Sequence, residues 1–302
     1  MSVADIIGTT RDRVGESPIW SAAELALYWV DIEGRLIRRF DMASGTVTSW
    51  NAPERVGCIV LNQDGGLIAA MESGVFAVEL HEPPVVSARC IAPVRHPRSN
   101  MRFNDGACDR RGRLWTGTMS MDSPQVPVGR LYSFTSHRLN ETPIDGLMTQ
   151  NGLAFSPDGR TMYLSDSHPS VQKIWAFDYD PEEAQPSRRR EFVDMTQFPG
   201  RPDGAAMDAD GGYWICGNDA GLIHRFTPAG RLDRSVEIPV SKPSKCAFGG
   251  AKLDALFVTT IVPGNPTGDE KNLAGAVFVL NPGVCGVAEP GYAKSVLHTV
   301  NS

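Results

Sequence analysis

The sequence predicts an all-β protein, a single six-bladed β-propeller with four antiparallel strands per blade that extends over residues 1–302. Three observations predict this fold. Short apolar runs recur six times at intervals of 40–51 residues, most of these runs follow a glycine-containing turn, and long capped helical patterns are absent. Repetition at this period, with four short strands in each unit, is typical of propellers. Radial closure also removes the unpaired edges that a large open sheet would expose.

The second strand of each blade gives the clearest signal. These runs are rich in aromatic and β-branched residues, which favour strands. They occupy residues 27–30, 67–70, 114–117, 162–165, 213–216 and 256–259. Four of them follow turn dipeptides or close relatives, at residues 64–65, 111–112, 158–159 and 210–211. Glycine in such turns admits a positive φ, which favours tight hairpins.

Third and fourth strands complete the predicted units. Third strands are predicted at residues 35–40, 74–80, 129–134, 173–178, 221–226 and 275–280. Weaker fourth strands fit residues 46–50, 191–195, 235–239 and 295–300. The longest loops are expected around residues 93–101, 121–128, 181–189 and 262–273.

Composition and charge exclude several classes of protein. The chain is 41% hydrophobic with a formal net charge of −6 and has no basic block, so we expect no nucleic-acid partner. No apolar run reaches membrane-spanning length, so we expect no membrane association. The six cysteines contain no CxxC pair, which indicates reduced thiols and a cytoplasmic location. We expect a monomer or a weak homo-oligomer.

The register of the first strands points to a functional site. Each first strand should lie innermost, beside the central channel, so positions 10 or 11 residues before each second strand should meet at one end of it. These positions are Glu16, Val56, Asn104, Asn151, Asp203 and Lys245. Four of the six are side-chain oxygen donors, and gathering them in a confined space would be costly without compensation. A bound cation is the simplest compensation.

A purely structural explanation exists for each residue alone, because Asn-Gly and Asp-Gly are common turn dipeptides. Four such residues in one register of a sixfold repeat favour a functional site instead. Lys245 leaves two alternatives open: contact with an anionic group of the substrate, or neutralisation of neighbouring acids, which we favour. Asn218 and Asp219 follow a second strand and are further candidates for the entrance. Arg98 and Arg130 are loop cations that could meet an acidic sugar.

These residues lie in segments that resemble the senescence marker protein/regucalcin/gluconolactonase family of six-bladed propellers. The segments are GESPIW (15–20), LYWVDI (27–32), RFNDG (102–106), GRLWTGTM (112–119), NGLAFSPDG (151–159), RPDGAAMD (201–208) and CAFGG (246–250). The resemblance implies one divalent metal ion held by Glu16, Asn151 and Asp203. It also implies substrate contacts from Arg102 and Asn104, with Asn104 near the metal. A further acidic substrate contact would fall at Asp122.

The implied chemistry is hydrolysis of a sugar-acid lactone to the open aldonate. Oxygen-only ligands favour Ca²⁺, Mg²⁺ or Mn²⁺ and leave Zn²⁺ or Fe²⁺ possible. In this hypothesis the metal polarises the lactone carbonyl, Asp203 activates water, and Arg102 and Asn104 orient the sugar. Two alternatives are hydrolysis of a phosphotriester and a non-catalytic calcium-binding propeller. The sequence does not identify the sugar.

Overall fold

The computed structural model describes residues 4–294 and confirms the predicted architecture. These residues form six four-stranded antiparallel sheets, and each sheet is one blade. The innermost strands of successive blades contact one another around the full circle, so they enclose a central channel. Helical structure in the described part of the chain is limited to a 3-10 turn at Met195–Gln197 and helix α1 at Glu270–Leu273. No helix within residues 4–294 is long and apolar enough to cross a membrane.

Five blades take their strands in chain order from the innermost to the outermost. The first blade contains β2 Gly15–Ser21, β3 Ala26–Asp31, β4 Leu36–Asp41 and β5 Thr46–Asn51. The second contains β6 Val56–Leu61, β7 Leu67–Met71, β8 Gly74–Leu80 and β9 Val86–Pro93. The third contains β10 Met101–Cys108, β11 Leu114–Ser120, β12 Gly129–Thr135 and β13 Arg138–Leu147.

The fourth and fifth blades follow the same order. The fourth contains β14 Gln150–Phe155, β15 Thr161–Asp166, β16 Lys173–Asp180 and β17 Gln185–Asp194. The fifth contains β18 Arg201–Met207, β19 Tyr213–Asn218, β20 Leu222–Phe226 and β21 Leu232–Glu237. All predicted second strands, including that of the sixth blade, coincide with strands of the structure.

The sixth blade joins the two ends of the chain. It contains β22 Pro243–Gly249, β23 Ala255–Thr260, β24 Val277–Leu280 and, outermost, β1 Asp5–Ile7. The pairing of β1 with β24 closes the ring. The fourth strand predicted at residues 295–300 lies outside the described residues. A three-residue strand is too short to show a periodic pattern, which is why the sequence did not reveal β1.

The outer edge of the propeller also departs from expectation. The loop predicted at residues 181–189 was wrong, because most of it belongs to β17, which pairs with β16. Residues 186–191 (PSRRRE) are largely exposed and lack the alternation of apolar and polar residues that marks a half-buried strand. The outer strands β9 and β13 escaped prediction for the same reason. The other three loops lie between strands, and the last of them carries α1.

Residues 284–293 form a segment, here called the strap, that lies across one end of the channel. It bonds to blades on opposite sides: the Ala209 amide donates to Cys285 O (2.9 Å), and the Tyr292 amide donates to Leu61 O (2.7 Å). The Tyr292 ring is buried and stacks on Phe134. The strap therefore covers one end of the channel, and the opposite end holds the starts of the innermost strands.

Candidate active site

A cavity of about 170 Å³ lies at the end of the channel where the innermost strands begin. Six of the residues that sequence analysis selected line it: Glu16, Arg102, Asn104, Asn151, Asp203 and Asn218. They come from four different blades, so the sixfold register does bring them together. Neither Val56 nor Lys245 lines the cavity, although both occupy the same sequence register.

β-Bulges aim the site residues into the cavity. The pairing between first and second strands shifts register just after Glu16, between Phe103 and Gly106, just after Asn151, and just after Pro202. A bulge bends its strand and redirects a side chain, and bulges are frequent beside active sites. Gly152, with a φ of +60°, shows the constraint. A Cβ there would lie 2.5 Å from Ser165 Oγ, so only glycine fits.

Two acidic residues fix the chain where it enters the bulged strands. The Asp31 carboxylate accepts the amides of Arg13 and Val14, both at 3.0 Å, just before Glu16. The Asp166 carboxylate accepts the amide of Thr149 (3.0 Å) and that of the preceding residue (2.8 Å), just before Asn151. The same arrangement thus positions two site residues in different blades.

Glu16 and Asp203 are buried carboxylates with few partners. Their residues are 7% and 6% exposed, and neither forms a salt bridge within residues 4–294. Glu16 accepts the Ser17 amide (2.8 Å), and Asp203 accepts the Asn218 amide group (2.6 Å). Burial raises the pKa of Asp203 to about 7. Burial, reinforced by the charge of Asp203, raises the pKa of Glu16 well above its usual value.

Asn151 presents an oxygen without a donor. Its Nδ2 donates to Ser167 Oγ (2.7 Å), and that hydroxyl donates in turn to Pro202 O (2.5 Å). These two hydrogen bonds hold the Asn151 amide so that its Oδ1 remains buried with no hydrogen-bond partner in the described structure. Leaving a buried acceptor unsatisfied costs about 1–3 kcal/mol. A cation would satisfy this oxygen and compensate both carboxylates.

The donor set therefore fits a divalent ion. Two carboxylates and one amide oxygen are hard ligands, which suit Ca²⁺, Mg²⁺ or Mn²⁺. A cluster of three or more His, Cys, Asp or Glu side chains is absent from residues 4–294. The candidate site does not need one, because its third ligand would be an asparagine.

Asn104 differs from Asn151 in that its oxygen already has a donor. Arg102 Nη1 donates to Asn104 Oδ1 (2.5 Å), and Asn104 Nδ2 donates to Gln150 O (2.7 Å). These bonds position the Arg102 guanidinium at the cavity wall, and its Nε is buried without a partner in the described residues. This geometry is more consistent with substrate contact by the pair than with Asn104 as a fourth metal ligand.

Asp122 does not line the cavity. Its side chain is 32% exposed, and its carboxylate accepts Asn100 Nδ2 (2.9 Å) and lies 3.9 Å from Arg98 Nε. The loop between β11 and β12 directs this carboxylate toward its own neighbours. Substrate contact by Asp122 stays a prediction, without support from its contacts here.

Lys245 lies inside the channel and not at its mouth. Its Nζ donates to Asp105 Oδ1 (2.5 Å) and to Gly106 O (2.9 Å), and Asp105 also accepts the Leu153 amide (2.8 Å). A register shift between Pro243 and Lys245 accompanies this orientation. Of the two alternatives for Lys245, the contacts match neutralisation of a neighbouring acid.

Sequence reasoning missed two cations of the cavity wall, Arg201 and Lys242. A signal for the first was present. Arg201 precedes Asp203 by two residues, as Arg102 precedes Asn104, so both arginines occupy the same register in different blades. Asn218, a candidate for the entrance, does line the cavity.

Fold and site together define a class, that of six-bladed propeller enzymes with an oxygen-lined cavity at one end of the channel. The chain belongs to the SMP-30/Gluconolactonase/LRE-like family, whose sequence model matches residues 14–262. This membership confirms the predicted family.

Individual relatives are similar over almost the whole chain. The chain is 34% identical to a 6-deoxy-6-sulfogluconolactonase of Pseudomonas putida, over 93% of this chain and 95% of that protein. It is 31% identical to regucalcin of Xenopus laevis, with the same two coverages. A crystal structure of regucalcin from Agrobacterium tumefaciens, described as a calcium-binding protein, superimposes with a TM-score of 0.88 at 24% identity. It covers 97% of this chain and 98% of that one, and shows the fold alone.

Proposed function

We propose that the protein hydrolyses a sugar-acid lactone to the open aldonate with the help of one divalent metal ion. One observation carries this proposal: Asn151 Oδ1, which has no hydrogen-bond partner, shares a cavity with two buried carboxylates that form no salt bridge within residues 4–294. Membership of a lactonase family supports the reaction class.

Glu16, Asn151 and Asp203 would hold the ion, which when bound supplies Lewis-acid polarisation of a carbonyl. Asp203 accepts the proton of the attacking water, and Asn218 orients its carboxylate by donating to Oδ2. Glu16 and Asn151 serve chiefly as ligands.

Arg102 and Asn104 position the substrate. The Arg102 guanidinium, fixed by Asn104 and by the Phe103 carbonyl (2.9 Å), donates to the ring hydroxyls or to the carboxylate as it forms. This polar wall suits a hydroxylated substrate better than an apolar phosphotriester.

The test combines metal analysis with a substrate panel. Proton release is measured on glucono-, xylono-, arabinono- and galactonolactone and on paraoxon, before chelation, after EDTA, and after metal is restored. We expect lactone hydrolysis that EDTA removes and metal restores. Turnover of paraoxon alone would support a phosphotriesterase, and no turnover with metal bound would support a non-catalytic propeller. Activity that survives complete metal removal would contradict the metal's role.

A further inference from the structure

We propose that Arg201 and Lys242 form an anion subsite, which binds a second negative group carried by the lactone at a position remote from the reacting carbonyl. This inference rests on the proposed function, because it specifies the substrate class of the same cavity. The group would be a sulfonate, a phosphate or a carboxylate.

Two arginines, Arg102 and Arg201, occupy equivalent positions in the cavity wall. The residue two positions before each cavity donor also lines the cavity, and these residues are Val14, Arg102, Thr149 and Arg201. Arg102 comes from the third blade and Arg201 from the fifth, so they flank Thr149 of the fourth. The cavity therefore has a guanidinium on each side of the Asn151 blade, and Lys242 stands beside Arg201 at the start of the sixth blade.

Arg201 and Lys242 both pair with the carboxylate of Asp219. Arg201 Nε donates to Asp219 Oδ2 (2.6 Å), and Lys242 Nζ contacts Oδ1 of the same carboxylate. Two cations thus share one acid. Arg188 and Arg190 share Asp178 in the same way, but on the exposed surface and outside this cavity. Arg201 and Lys242, paired with Asp219, therefore leave one net positive charge at the wall of a cavity that also holds the carboxylates of Glu16 and Asp203.

Arg201 also has N–H groups that its partners in the protein do not use. Besides Asp219, Arg201 reaches Ser167 O (3.1 Å) and Asn218 Oδ1 (3.4 Å). Three of its five N–H groups are thereby used, and two have no partner in the described part of the chain. Lys242 has one further contact, to Asn218 Oδ1 at 3.5 Å. A planar guanidinium beside an ammonium is well suited to an oxyanion with several oxygens.

A neutral aldonolactone leaves this subsite without a function. Its hydrolysis creates one carboxylate, at the reacting carbon, and Arg102 is placed to meet it. A substrate that carries its own anion at the other end of the sugar would satisfy Arg201 and Lys242 as well.

The test compares lactones that differ at one carbon. Initial rates are measured on glucono-1,5-lactone and on its 6-phospho, 6-deoxy-6-sulfo and 6-carboxylate counterparts, which also identify the preferred anion. We expect the wild-type protein to prefer at least one anionic lactone about tenfold or more in kcat/KM. The Arg201→Gln/Lys242→Gln double variant should lower this preference about tenfold or more, mainly through KM.

Arg190→Gln is the matched control, because Arg190 shares the Asp178 carboxylate with Arg188 outside the cavity. It should leave the preference unchanged. Asp219→Asn supplies a test in the opposite direction: it releases both cations, so the preference for the anionic lactone should increase. Circular dichroism melts verify that each variant is folded.

The subsite would be contradicted if the wild-type protein did not prefer an anionic lactone over the neutral one. It would also be contradicted if the double variant kept the same ratio of kcat/KM between the anionic and the neutral lactone. Calorimetry with gluconate and 6-phosphogluconate separates this result from the proposed function, because binding needs no turnover. If no lactone is hydrolysed but 6-phosphogluconate binds more tightly than gluconate through Arg201 and Lys242, the subsite stands and the lactonase proposal fails. If lactones are hydrolysed but no variant changes the ratio of kcat/KM between anionic and neutral lactones, the lactonase proposal stands and the subsite fails.

Discussion

Two groups of buried acids show how this propeller separates structure from function. Asp12 and Asp208 are fully buried at the packed flanks of the first and fifth blades. Each accepts a tryptophan Nε1 at 2.7 Å, from Trp29 and Trp214, and each also pairs with an arginine of its own blade. The cavity acids, Glu16 and Asp203, are almost as buried but have neither partner. A buried acid with a complete set of partners stabilises the fold, and one left incomplete indicates a ligand.

The largest expected effect belongs to the structural group. Asp208→Ala leaves the Arg225 guanidinium buried without its main partner and removes two further amide contacts, from Asp210 and Gly212. Breaking a buried pair in this way costs about 3–5 kcal/mol of unfolding free energy. Urea denaturation measures it. Asp233→Ala is the control: it removes the exposed partner of Arg225 and should cost less than about 1 kcal/mol. Equal losses in the two variants would contradict the comparison.

The second-largest effect is expected for the cavity acids, and it is a decrease in kcat. Asp203→Ala should lower kcat on the preferred lactone at least roughly 100-fold, because it removes the group that accepts the proton of water. Steady-state kinetics at saturating metal measure the loss. The folded fraction of Asp208→Ala should retain its kcat, since Asp208 lies outside the cavity. Near-normal turnover and metal content in Asp203→Ala would remove Asp203 from the mechanism.

The smallest effect concerns pH and metal removal. The pKa of Asp203 is raised to about 7, so the folded metal-free protein retains a proton that the unfolded chain has lost. The contribution of Asp203 to the free energy of unfolding therefore falls as pH rises from about 4 to about 7, since the folded state retains this proton in that window. The melting temperature in EDTA should decrease across this range, and Ca²⁺ at pH 8 should raise it again.

Asp203→Asn is the control for the pH effect, because an amide does not titrate. Its melting temperature in EDTA should depend less on pH than that of the wild-type protein. A wild-type protein whose metal-free stability is constant or increases between pH 4 and 7 would show that the cavity acids are compensated in some other way.

The sequence predicted the fold and the central part of the cavity because both depend on repetition. Apolar second strands recur at a fixed interval, and counting back from them reached Glu16, Asn151 and Asp203. The same count also selected Lys245, whose side chain instead pairs with Asp105 in the channel. Counting gives the height of a residue along the channel, but local register shifts decide where its side chain points.

The remaining features depend on contacts that no pattern records. Lys242 is a surface-type residue in sequence, and only folding places it at the cavity, where it shares a carboxylate with Arg201. The partners of Asp12 and Asp208 come from neighbouring strands of the same blade, but no periodic pattern marks them. The outer strands carry charged, exposed residues, so their sequences resemble loops.

The strap across the far end of the channel has a kinetic consequence. With that exit covered, anything that enters the cavity must depart through the mouth by which it came. The product would then leave through the same cavity opening by which the substrate enters, so accumulated product should inhibit competitively. The rate at which this opening clears, and not only the chemical step, would then limit how fast the protein can turn over.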